Sequence, residues 1–337
     1  MAISYGAHRH GLICGFLFNP HADVDGRALS LDEAIEWLKT QTAQSDPAEF
    51  IWLHFDLTDA SATNWMQANL SLVPEFFEAL REGSRSTRIE DAGDNLIAVV
   101  NDVAYEFAFD PSEIATLWMS VSPRVAVSAR AHPLRSIDRL RESVKHGARF
   151  ESTVALLNHL MADQGDVLVR IAREATLKVD TIEDSLLHGR LVHQRAELGK
   201  LRRVLVRLQR LLAPEPAALF RLLRQPPPWV ASHDLEELRQ STEEFSMVIR
   251  DLSALQERIK LLQEEIAAQV SEQTNRSLFT LTMVTVLALP INIMTGFFGM
   301  NVGGIPLAES RHGFLVMVII VVVFTLIAAL FAFRRRD

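Results

Sequence analysis

The sequence predicts an α+β head, built as an α/β layer, joined through a long stalk helix to two C-terminal membrane-spanning helices. Three observations carry this reading. Strand-length apolar runs bounded by turn residues fill roughly the first 150 positions and then stop. An apolar heptad repeat follows over residues 238–266. Two stretches of 21 residues, 278–298 and 313–333, contain no charge, and each is long enough to cross a hydrocarbon core as a helix. At 337 residues, 48% hydrophobic, with a mean hydropathy of +0.11, the chain is too long for one compact core and too apolar for disorder. Its net charge of −8 argues against a nucleic-acid partner. A single cysteine, Cys14, excludes a disulfide scaffold or a thiolate metal cluster within one chain.

Residues 1–150 are read as a cytoplasmic α/β domain. Positions 11–18, 50–55 and 96–100 are short apolar runs bounded by Asn, Pro, Asp or Gly, and 114–121 and 124–129 are separated by Ser122 and Pro123. Between the first two runs, Ser30 opens an amphipathic helix with Glu33 placed to complete a capping box. Strands alternating with helices predict a sheet that is part parallel and part antiparallel. Residues 1–10 are polar and lead into no signal-peptide core, so the head is expected to stay on the side where it is made.

Residues 151–276 are read as long cytoplasmic helices ending in the stalk. Positions 152–188 and 191–224 form two helices, broken at Gly189 and ended by Pro226, Pro227 and Pro228. The second is basic: Arg195, Lys200, Arg202, Arg203, Arg207, Arg210, Arg221 and Arg224 stand against Glu197 and Glu215. The acidic helix that follows is expected to neutralise it. That next helix starts near Asp234, with Glu237 completing a second capping box. It sets Leu238, Phe245, Val248, Leu252, Leu255, Ile259, Leu262 and Ile266 at spacings of 7, 3, 4, 3, 4, 3 and 4. No Gly or Pro interrupts it before Pro290, so one helix is expected from Asp234 to Phe298, roughly 100 Å long at ~1.5 Å per residue. A stalk continuous with the first span implies mechanical coupling between head and membrane.

The spans are then 277–300 and 313–333, with an external connection at 301–312 and a basic tail at 334–337. Arg276 before the first span and Arg334, Arg335 and Arg336 after the second place both termini in the cytoplasm. On the first span, Asn275, Leu278, Thr282, Thr285, Leu289, Asn292, Gly296 and Gly299 recur at alternating spacings of 3 and 4, forming one stripe. The second span has only Thr325 for polarity. Polar side chains in a membrane face a bundle interior or a water path, and helix–helix packing is the competing explanation. Two helices cannot enclose a lumen. A stripe that lines a pore therefore requires several chains around one axis, first span inside and second outside.

Gly299-Met300-Asn301 closes the first span. With two C-terminal spans, a short outer connection, a basic tail and a stalk in this order, the chain resembles the CorA family of divalent-cation transporters over essentially its whole length. The continuation from Val302 to Leu307 lacks the acidic motif typical of magnesium-transporting members, and Asn301-Val-Gly-Gly-Ile-Pro306 resembles the zinc-transporting ZntB branch. The resemblance implies a homopentamer in the cell inner membrane, with a cytoplasmic funnel and with the stalk helix lining the ion path. It implies that Asn301 is the outer selectivity-filter residue, that Gly299 and Met300 shape the filter turn, and that Asn275 forms a ring near the cytoplasmic end of the pore. It implies no cofactor. The cargo would be zinc or another divalent cation, met at Asn301 through its hydration waters, and the ZntB branch is associated with proton-driven uptake.

Asparagine carbonyls can bond the waters of a divalent cation without trapping it. Zinc held directly prefers His and Cys, and the stripe has neither, which favours hydrated passage. No ionisable residue lies between Arg276 and Glu309, so protons cannot hop between carboxylates across the span. Any pH response is expected to act through pore water and the mouths, at Glu309 and His312 outside and Glu264 or Glu272 inside. His8, His10, His188 and His193 read as ordinary histidines. No phosphate-cradling Gly-rich loop, zinc-protease motif or nucleophile elbow supports an enzyme, and Glu90, Asp91 and Asp94 read as solvated loop charges. A magnesium, cobalt or nickel channel of the same fold and a non-transporting membrane-tethered sensor remain as alternatives.

Overall fold

We describe residues 9–21, 26–41, 46, 48–83, 87–105, 107–110, 113–187, 192–300, 302 and 310–334 of a computed structural model. The chain divides into two units, Met1–Leu262 and Gln263–Asp337.

The first unit is organised around a mixed sheet. Its strands are β1 (Leu12–Phe18), β2 (Arg27–Ala28), β3 (Phe50–Asp56), β4 (Arg88–Ala92), β5 (Asn95–Val103), β6 (Ile114–Val121) and β7 (Val125–Arg130), in the order β2-β1-β3-β7-β6-β5-β4. The β3–β7 pair is parallel, from Ile51 opposite Val125 to Asp56 opposite Arg130, and the other pairs are antiparallel. Period-two alternation sends Phe50, Trp52, Leu96, Ala98, Val100, Leu117 and Met119 to one face. Ile51, Leu53, Phe55, Ile97, Val99 and Trp118 go to the other. Both faces are apolar because both are covered. Helices α1 (Leu31–Thr40), α2 (Ala60–Asn69) and α3 (Pro74–Glu82) bury Trp37, Trp65 and Phe76 on the second face. On the first face lie α4 (Arg135–Lys145), the start of α5 (Thr153–Leu187) and α7 (Pro214–Arg224). The result is a three-layer α/β/α head.

The Ser30 capping box forms as expected, with Glu33 N–H donating to Ser30 Oγ and Ser30 N–H donating to Glu33. Glu90 and Asp91, expected in a loop, instead form part of β4, opposite Ile97 and Leu96. Gly93 supplies the positive φ of +74° that the β4–β5 turn needs, and the exposed carboxylates blunt an edge strand.

Beyond the sheet, α5 and α6 (Val192–Leu212) pack with the first part of α8 (Ser232–Phe298). All eight heptad residues of α8 are buried, from Leu238 to Ile266. Each buried aliphatic side chain of this kind contributes about 1.5–3 kcal/mol of apolar transfer. Gln209 donates to Ser253 at 2.6 Å and Gln256 donates to the Leu205 carbonyl at 2.9 Å, pinning α6 to α8. The helix expected over 191–224 is two helices. Pro214 has no N–H to continue α6 and instead starts α7, where the missing donor costs nothing. The capping box expected at Asp234 does not form. The helix begins two residues earlier, and Asp234 and Glu237 accept hydrogen bonds from Ser152 and Asn158 of the neighbouring chain segment. Arg258 of α8 pairs with Asp180 and Glu183 of α5. The break expected at Gly189 lies outside the described residues.

The second unit holds the rest of α8 and α9 (Gly313–Arg334). The two helices meet along a wholly apolar groove lined by Pro290, Ile291 and Met294 of α8 and by Ile320, Val321 and Phe324 of α9.

Candidate ion pathway

By length and composition, α8 contains a stretch able to cross a membrane. The side of it turned to α9 carries Met283, Leu287, Pro290, Ile291 and Met294, which are half-buried. Asn275, Leu278, Thr282, Thr285, Leu289, Asn292, Gly296 and Gly299 are all exposed. At ~100° per residue these two sets lie on roughly opposite sides of the helix. The polar stripe expected from sequence is therefore one continuous face, turned away from α9.

The hydroxyl groups on that face have a fixed polarity. Thr282 Oγ1 donates to the Leu278 carbonyl at 2.8 Å, and Thr285 Oγ1 donates to the Leu281 carbonyl at 2.9 Å. With their protons turned back to the helix, these oxygens present lone pairs outward, the acceptors that the waters of a cation require. Off the stripe, Thr280 makes the same back-bond to Arg276. At the end of α8 the Gly299 N–H donates to the Thr295 carbonyl at 2.9 Å. A Cβ on Gly299 would stand 3.1 Å from that same oxygen, so the turn is built tightly on bare backbone. Met300 is exposed beyond it. Asn301 and Glu309 lie outside the described residues. His312 is exposed, its N–H 3.4 Å from Ser310 Oγ, just before α9. Among the described residues, no three His, Cys, Asp or Glu side chains come together as a metal site.

Sequence reasoning missed the polar interior of the head. His54 is fully buried; its Nδ1 pairs with Ser128 Oγ at 2.8 Å and its Nε2 accepts from Arg130 Nε at 3.0 Å. Burial, followed by the charges of Arg130 and Arg141, holds the imidazole well below its usual pKa, so it is neutral and accepts. Arg130 and Arg141 both face Asp138, at 3.4 and 3.7 Å. Burial also pushes the Cys14 thiol up to about 12, which leaves it inert. A second cluster joins Asn101, Asp102, Gln164 and Glu215. Its signal was the Asn-Asp pair at 101–102, which interrupts an otherwise apolar strand.

The chain thus combines an α/β head with a helix that is long and apolar enough, over its second part, to cross a membrane. The model of the family described as CorA-like Mg2+ transporter protein matches residues 47–335, and the chain belongs to that family of divalent-cation transporters. Its members are transporters, not enzymes. The divalent cation transporter CmaX of Pseudomonas aeruginosa is 27% identical over 311 residues, covering 90% of each chain. The zinc transport protein ZntB of Yersinia pseudotuberculosis is 25% identical over 328 residues, covering 93% of this chain and 98% of its own. The solved full-length CmaX structure superposes with a TM-score of 0.81 at 25% identity, covering 98% of both chains. The CorA magnesium transporter of Methanocaldococcus jannaschii shares the fold, with a TM-score of 0.73 at 20% identity over 96% of this chain and 98% of its own.

Proposed function

We propose that this protein carries divalent cations, zinc foremost, through a central pore of a homopentamer in the cell inner membrane. The supporting observation is the separation of faces on α8. Its apolar side is taken by α9, and its polar side is left open in the single chain. Five copies arranged with α8 inside and α9 outside would turn Asn275, Thr282, Thr285 and Asn292 toward one axis. Between Asn275 and Asn292 these rings would span about 25 Å at 1.5 Å per residue. The ion would pass hydrated, exchanging waters between neutral oxygen acceptors that hold it weakly enough to release it. In such a pentamer Asn301 would be the outer filter residue, Gly299 and Met300 would shape the filter turn, Glu309 and His312 would belong to the external mouth, and both termini would face the cytoplasm.

Zinc is favoured by the Asn301-Val-Gly-Gly-Ile-Pro306 continuation together with the likeness to ZntB. A broader divalent-cation specificity, covering magnesium, cobalt or nickel, is the second reading, favoured by the likeness to CmaX. Flux into liposomes holding the purified protein, with each metal competed against zinc, separates them. Zinc uptake that a tenfold excess of magnesium leaves intact supports the first reading. Metal binding without flux would overturn transport itself and leave a sensor.

A further inference from the structure

Where α7 meets the sheet, the head buries an acid that has no ion pair among the described residues. Glu215 is the second residue of α7 and is fully buried. Its Oε2 accepts from Gln164 Nε2 at 3.2 Å, and its Oε1 has no hydrogen-bond partner among the described residues. The same Gln164 amide donates to the Asn101 carbonyl at 2.7 Å, and its Oε1 is also unpartnered. Thr87 donates to the Leu211 carbonyl at 3.1 Å and accepts from Asn101 Nδ2 at 3.2 Å, while Thr116 donates to Asn101 Oδ1. The next strand residue, Asp102, is buried too, with one oxygen taking the Val103 N–H and the other the Ser136 N–H at the start of α4. Groups from β5, α4, α5, α6 and α7 thus converge on one node.

The charged groups acting there are few. Asp102 on β5 bears on Glu215, and Arg135 on α4 bears on Asp102. The groups from α5 and from the approach to β4, Gln164 and Thr87, are neutral. An ionised Glu215 would put a second negative charge near Asp102 in a buried site, with one oxygen unbonded. We propose that Glu215 is a proton-binding site, and that its bound proton latches α7 and the preceding α6–α7 turn onto β5 and α5. Loss of the proton leaves a charge that only water can satisfy, so α7 must loosen for the carboxylate to be hydrated. Burial, with Asp102 adding to it, raises Glu215 from 4.5 to about 8, against the pull of the Gln164 amide. The sign follows from that direction. Between the ordinary carboxyl range and about pH 8 the opened or unfolded form has released its proton while the closed form keeps it. Stability of the closed form therefore falls as pH rises through this window and levels off above about 8. This inference concerns the head alone and holds whatever the cargo.

The test is amide hydrogen exchange on the full chain in detergent from pH 6 to 9, corrected for intrinsic rates. In the wild type, the opening constant of α7 and of residues 211–215 should rise about tenfold per pH unit up to about pH 8 and then flatten. In Glu215→Gln, isosteric with the protonated acid, it should be independent of pH from 7 to 9, above the range in which Asp102, raised to about 6 by burial, titrates. Infrared spectroscopy supplies a readout that needs no opening: a neutral carboxylic-acid carbonyl band at pH 7, missing in Glu215→Gln and converted to carboxylate above about pH 8. Wild-type protection of α7 that does not vary with pH, a slope retained in Glu215→Gln, or an ionised Glu215 at pH 7 would each overturn the proposal.

Discussion

In the head, Trp52 and His54 both reach Ser128 at 2.8 Å, His54 takes the Arg130 guanidinium, and Arg130 leans on Asp138. On the membrane-length part of α8, the Asn275 and Asn292 side chains make no hydrogen bond among the described residues, and both are exposed. The contrast is physical. A polar group sealed inside a single chain draws its partners from that chain, as His54 and Arg130 do. A polar stripe left open on an apolar helix has no such solution in hydrocarbon and must be completed by water or by other copies. The head can therefore be understood one chain at a time, and the stripe cannot.

The contrast can be broken from either side, and the largest effect is expected at the filter. Asn301→Ala should abolish uptake while leaving assembly intact, as read by liposome flux beside the native mass of the complex. Flux close to wild type in a correctly assembled variant would remove Asn301 from the mechanism. On the head side, Asp138→Asn leaves two buried guanidiniums facing an amide. It should cost about 3–5 kcal/mol, measured by thermal or denaturant unfolding. In the seam, Leu252→Ala or Ile259→Ala should cost about 2–5 kcal/mol, because both side chains are fully buried.

Smaller effects sharpen the boundary. Asn292→Leu should slow flux by making one level of the stripe apolar, whereas Thr280→Val, off the stripe, should change it little. Arg258→Ala removes a half-exposed bridge to Asp180 and Glu183 and should cost about 1 kcal/mol or less. At the outer mouth, the combined His312→Ala and Glu309→Gln change should weaken the response of zinc uptake to an imposed pH gradient without erasing it. Complete loss of that response with metal flux intact would make a mouth residue an obligatory proton carrier.

What the sequence made legible was whatever repeats. Strand-length apolar runs bounded by turn residues located β1, β3, β5, β6 and β7, and the heptad seam named eight residues that are all buried. What it hid was non-periodic. The strand β4 is polar because it is an edge, so Glu90 and Asp91 looked like loop. Helices α2, α3 and α4 are short, and α3 and α4 lack a side-chain cap. Asp234 looked like a cap because the cap pattern does not reveal that Ser152 will claim its carboxylate. The His54 and Glu215 networks join residues tens of positions apart, which no local spacing records.

Cysteine accessibility tests the pore face most directly. Cys14 can be replaced by Ser, although its raised pKa already makes it a poor nucleophile. In that background, Asn292→Cys and Thr285→Cys on the stripe are compared with Phe324→Cys in the α8–α9 groove, each exposed to a charged, water-soluble thiol reagent during zinc uptake. The two stripe variants should be modified and lose flux, while Phe324→Cys stays unmodified and active. Equal labelling of all three, or labelling of the stripe that leaves flux unchanged, would contradict a pore along this face of α8.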